Sequence, residues 1–123
     1  MGWDTVVRRV WPWLLLWGWM GLIFYFSHQP AAALPDFGAV DLPVKKSAHF
    51  LAYLLLAIFA RRALGHSGWA LVWTAVYAVT DEIHQTFIPG RQGRVVDVLI
   101  DCAGGVTGLL AYHAICLRRR FRV

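Results

Sequence analysis

Cysteine is scarce in this chain. Only Cys102 and Cys116 occur in 123 residues, and both fall in the last apolar block. On one helix they would lie about 20 Å apart, far beyond the roughly 7 Å over which two residues can be bridged. A disulfide between them is therefore excluded, and both read as small buried hydrophobes that say nothing of redox compartment. Charged residues make up only 15% of the chain. The bases sit in short clusters with no basic stripe or recognition motif, which argues against nucleic acid as a partner. No internal repeat and no low-complexity segment is present. No tight ligand motif such as His-Glu-x-x-His occurs, so the expectation is no cofactor and no metal. A looser metal set from Glu82, His84, His49 and the aspartates is conceivable but is not favoured.

Apolar residues are abundant. They make up 59% of the chain, with seven tryptophans and a mean hydropathy of +0.52. Soluble domains lie nearer 45–50% apolar on average. The excess comes in blocks, so the chain reads as a small integral membrane protein: all-α, one domain over residues 1–123. About four spans of roughly 20 residues fit this length. They are expected at about 10–27, 47–63, 69–88 and 95–117, packed as two antiparallel hairpins in a compact bundle. Pro12 would lie in the first turn of the first span, where a missing N–H costs least. Gly65, His66, Ser67 and Gly68 form a turn, and Pro89-Gly90 breaks the third span. A signal peptide is the rival reading of the first block, with Arg8 and Arg9 before it and Ala31-Ala32-Ala33 as a cleavage site. That h-region would be long and rich in Trp.

The distribution of bases sets the orientation. Arg8, Arg9, Arg61, Arg62, Arg118, Arg119, Arg120 and Arg122 fall on one side of a four-span chain. Lys45, Lys46, Arg91 and Arg94 fall on the other, with most of the acids. Both termini are thus expected in the cytoplasm. The C-terminal arginines would also attract anionic lipid.

With that topology the unusual polar residues gather at the outer face. Ser27, His28 and Gln29 leave the first span there, and Lys45, Lys46 and His49 open the second. Asp81, Glu82, His84 and Gln85 close the third, and Arg91, Asp97 and Asp101 follow. Ionisable groups in a membrane are costly and mark a functional site when partners can be named. Helical spacing puts Asp97, Asp101, Gly104 and Gly108 on one face, and the Gly104/Gly108 pair allows a neighbouring helix to pack closely. Asp81, His84 and Gln85 share a face of the third span. Lys46, His49 and Tyr53 share one of the second. The four acids and four bases of this end balance, as a partly buried site requires.

The motifs Lys46-Ser47-Ala48-His49-Phe50-Leu51-Ala52-Tyr53, Asp81-Glu82-x-His84-Gln85-x-Phe87-x-Pro89-Gly90-Arg91-x-Gly93, Asp97-Val98 and Asp101-x-x-Gly104 resemble the VanZ-like family, named for a teicoplanin-resistance protein. Phe26-Ser27-x-Gln29 is similar to that family's exit from the first span. Lys45 and Ala52 depart from the pattern, where many members have Asp or Arg and Glu. The resemblance implies a small multi-pass protein of the bacterial cytoplasmic membrane, linked in some members to glycopeptide resistance. It supplies no mechanism.

Three functions follow from the residues. In the first, the outer cluster binds the head of an envelope lipid or lipid-linked cell-wall precursor. Lys46 and Arg91 would bind phosphate or carboxylate, Asp97 and Asp101 would orient them, and Ser27, Gln29 and Gln85 would line the site. In the second, the chain is an enzyme acting on such a lipid, with Asp81 or Glu82 as general base and His84 or His49 as acid. In the third it is a proton-coupled transporter, which the lack of a polar track through the other half of the membrane disfavours. A structural role is the alternative for each charge: Asp97 and Asp101 as ion-pair partners of Arg91, Arg94 or Lys46, and Arg91 as an interfacial arginine. The sequence does not reveal the oligomeric state.

Overall fold

The computed structural model describes residues 2–122. Four helices account for most of them: α1 Trp3–His28, α2 Asp41–Leu64, α3 Ser67–Gln85 and α4 Val95–Phe121. Among the described residues there is no strand.

Helix ends follow from local chemistry, and several depart from the expected bounds, α4 running on to Phe121. α1 begins at Trp3, so Pro12 lies inside the helix and not in its first turn. α2 begins six residues before Ser47, the expected first residue of the second span, at Asp41. There Asp41 Oδ1 accepts the Phe37 N–H at 3.2 Å. Pro43 falls in the first turn of α2, where its missing N–H breaks no helical bond. Gly65, with φ of 74°, ends α2 in the left-handed conformation that favours glycine. The His66 side chain then caps α3 by accepting the Trp69 N–H. α3 stops at Gln85, short of Ile88. Thr86–Ile88 tighten into i→i+3 turns, and the Arg91 N–H closes a turn on Ile88 O at 3.1 Å. Pro89 and Gly90, with φ of 74°, occupy the positions where a type II turn takes Pro and Gly.

Cross-helix pairs give the directions. Met20 meets Tyr77 and Ser27 meets Gln85, so α1 and α3 run parallel. Lys46 meets Asp97 and His49 meets Asp101, so α2 and α4 run parallel. Tyr53 meets Asp81 and Arg94 meets Glu82, so α3 opposes both α2 and α4. α1 and α4 each pack on α2 and α3 but not on each other. The small core between them holds Leu16, Ile23, Tyr53, Leu56, Ala57, Ala60, Ala70, Ala78 and Leu109.

α1, the stretch Gly38–Leu64 and α4 are long and apolar enough to cross a membrane. α3 does not reach that mark by average hydropathy, although its outward residues include Val72, Val76, Val79 and Ile83, and the hydroxyl of exposed Thr80 turns back to Tyr77 O. The other helices likewise turn Trp11, Leu14, Trp17, Leu51, Leu55, Leu99 and Leu110 outward. Apolar exteriors on this scale are what lipid, and not water, stabilises.

Candidate functional site

The C-terminal ends of α1 and α3 and the N-terminal ends of α2 and α4 meet at one end of the bundle, under the loops 29–40 and 86–94. Glycines make the approach possible. A Cβ at Gly104 or Gly108 would collide with the carbonyl oxygens of Phe50 and Leu54, so the α4 backbone lies directly on α2. A Cβ at Gly93 would collide with Glu82 O and sit 2.6 Å from Thr86 Cγ2. Gly93 thus lets the loop lie on the last turn of α3, where the Arg94 N–H reaches Glu82 Oε2 at 3.1 Å.

Three carboxylates are buried at this end: Asp81, Glu82 and Asp101 are 5%, 4% and 0% exposed. The Tyr53 hydroxyl donates to Asp81 Oδ2 at 2.9 Å. His49 Nδ1 lies 3.1 Å from Asp101 Oδ1. Lys46 and Asp97 form an ion pair beside them. Glu82 Oε1 and Asp101 Oδ2 are buried with no hydrogen-bond partner among the described residues.

The expected bases do not pair with these three acids. Lys45 binds Asp41 at 2.9 Å. Arg94 Nη2 donates to Gln92. Arg91 donates from Nη2 to Phe26 O at 2.7 Å and from Nε to Gln29 O at 3.2 Å, tying the end of α1 to the 86–94 loop. Partial burial lowers the Arg91 pKa from its ordinary value, against the opposing pull of Asp81 and Glu82. The guanidinium stays charged, because arginine starts so high.

His84 separates from the carboxylates. Its Nε2 lies 3.2 Å from His28 Nδ1, and its ring stacks on Phe24 and His28. Successive residues turn by about 100° on a helix, so Glu82 and His84 point to nearly opposite sides. Because α1 and α4 flank α3, one residue faces each. Gln85 is buried and donates weakly to Ser27 Oγ at 3.4 Å. The Gln29 side chain bonds back to Tyr25 O. Tyr53, placed by sequence on the His49 face but given no role there, is the carboxylate partner that spacing alone did not single out.

Beside the cluster, a groove of about 310 Å³ runs between α1 and α2. Trp19, Leu22, Ile23, Phe26 and Ala52 form its apolar length, and Lys45, His49 and Arg91 line its other end.

The VanZ/LLP1 family model matches residues 12–117. The chain belongs to this family. The matched region takes in α2 and α3 whole, most of α1 and α4, and the whole polar end, so the cluster is part of the family domain and not an appendage to it. Family membership and the apolar helices together make this a membrane protein. No curated protein and no solved structure matches the chain.

Proposed function

We propose that this protein spans the bacterial cytoplasmic membrane four times, with both termini in the cytoplasm, and binds the anionic head of an envelope lipid at its outer end. A lipid-linked cell-wall precursor has the required chemistry: a phosphorylated head on a long apolar chain. The groove carries this reading. An acyl or isoprenoid chain fits along Trp19, Leu22, Ile23 and Phe26, and the head then meets Lys45, Arg91 and His49. Arg91 keeps its remaining N–H groups for a phosphate oxygen, a pairing that arginine geometry favours. Holding such a lipid would change how glycopeptide drugs reach their target, which connects the site to the resistance associated with some members of the family.

Native mass spectrometry of gently extracted protein tests the reading. Wild type is expected to retain a phosphorylated lipid. Ala48→Trp, which fills the groove from an exposed position, should lose it, and Lys45→Gln should retain less. Identical lipids on all three folded proteins would overturn the proposal. A head group that changes during incubation with wild type but not with His49→Ala would instead make the site catalytic, a reading favoured by His49 in the groove wall with Asp101 beside it.

A further inference from the structure

We propose that His49, Asp81, Glu82 and Asp101 form a binding site for one divalent first-row metal ion. Each of the four offers a ligand atom, and these atoms all lie within 4.8 Å of one another. Two ligands around one ion stand about 3 Å apart when adjacent and about 4.2 Å apart when opposite, for bonds near 2.1 Å. The 3.1 Å between His49 Nδ1 and Asp101 Oδ1 is an adjacent-ligand spacing.

The protein positions one oxygen of two of the carboxylates and leaves the other to the cluster. Tyr53 holds Asp81 Oδ2 and the Arg94 N–H holds Glu82 Oε2. Such outer hydrogen bonds are what orient metal-binding carboxylates. Among the described residues, Glu82 Oε1 and Asp101 Oδ2 are buried without a hydrogen-bond partner, as is Asp97 Oδ1, which instead faces the Lys46 ammonium. A buried acceptor in this position is costly unless something binds it.

Charge points the same way. Among the described residues, no lysine or arginine forms a salt bridge with any of the three acids. Lys46, the basic residue nearest in the helix pairing, is engaged by Asp97. A divalent cation would offset most of the charge that three carboxylates bring together within a lipid-surrounded bundle. The donor set of one imidazole nitrogen and carboxylate oxygens suits Mn²⁺, Fe²⁺ or Zn²⁺ better than a soft, thiolate-seeking ion. The sequence offers these residues only as a loose set that also includes His84, because the ligands come from three helices and not from one short motif. The inference does not depend on the lipid reading, since no lipid atom enters it.

Mn²⁺ is the probe. Wild type in detergent, stripped with chelator, is titrated with MnCl₂ and followed by electron paramagnetic resonance and thermal unfolding. The expected result is one saturable Mn²⁺ per chain, nitrogen coupling in the spectrum and a raised unfolding midpoint. Asp101→Asn and Glu82→Gln should each weaken binding by about 10-fold to 100-fold or more, and His49→Ala should remove the nitrogen coupling. Asp36→Asn, at an exposed loop position, should change nothing. No saturable Mn²⁺ on folded wild type, or binding without nitrogen coupling, would overturn the site. These two readouts need only wild type, so they decide the question even if every cluster variant fails to fold. Protons shared among the carboxylates would then be the remaining way to hold the three acids together.

Discussion

The Tyr53 hydroxyl is 1% exposed as a residue and has one buried acceptor, Asp81 Oδ2. Replacing it by Phe leaves that oxygen without its donor while keeping the ring in place. Loss of a buried partner costs about 1–3 kcal/mol, so Tyr53→Phe should lower the unfolding free energy by that amount in mixed-micelle equilibrium unfolding. A change below about 0.5 kcal/mol, the scale of a neutral surface substitution, would show that Asp81 does not rely on Tyr53. Residue types and spacing made part of this site legible. His49 and Tyr53 lie one turn apart on α2, and Asp97 and Asp101 one turn apart on α4, so each pair had to share a face. Pairing between helices was legible only as open alternatives, Lys46 with Asp97 or Asp101 among them. Lys46 to Asp97, His49 to Asp101 and His84 to His28 each depend on how two helices are rotated against each other.

At the scale of elements, α2 and α4 are held together by backbone contact at Gly104 and Gly108 more than by large side chains. Each glycine faces a carbonyl on α2, and the helix cannot accept even a methyl group without separating from it. Gly104→Ala and Gly108→Ala should each destabilise by about 1–3 kcal/mol, the range for overpacking. Val106→Leu, on the exposed side of the same helix, should stay within about 0.5 kcal/mol. The same unfolding measurement checks all three, and equal effects at the three positions would mean that the close approach contributes nothing. The pattern has a consequence for the site. Lys46, His49 and Tyr53 project from α2 at the level where α4 brings Asp97 and Asp101, so separating these helices would dismantle the cluster as well as the fold. Gly93 does the corresponding task for α3, by letting the loop that carries Arg94 lie over Glu82.

For the whole molecule, the proposed four-span arrangement requires α3 to cross lipid while carrying two acids. Asp81 and Glu82 are covered by the neighbouring helices, and the exposed stripe is Val72, Val76, Val79 and Ile83. Lipid meets the stripe and not the average, so a helix that falls short by mean hydropathy still presents an apolar surface. The proposed topology, with both termini in the cytoplasm, rests on the arginines and the positive-inside rule. After replacement of Cys102 and Cys116 by Ala, Gln92→Cys should react with a membrane-impermeant maleimide on intact spheroplasts. Arg119→Cys should react only after permeabilisation. The opposite labelling pattern would place the cluster at the cytoplasmic face.

The sequence by itself determined the all-helical, apolar character of the chain, its family, and the end of the bundle at which the polar residues collect. These properties reside in composition and in spacing along single helices, where the period of 3.6 residues fixes which side chains share a face. Helix bounds were less legible, because α1 and α2 start at Trp3 and Asp41, outside the apolar blocks that hydropathy marks. The tertiary structure alone decided the pairings. α1 and α4 lie on opposite sides of α2 and α3, so His84 faces one and Glu82 the other. The bases that equal the acids in number are drawn to Asp41, Asp97, Gln92 and the end of α1, leaving three carboxylates and one histidine together. Counting charges along a chain gives their balance, but only the packing of four helices determines which of them meet.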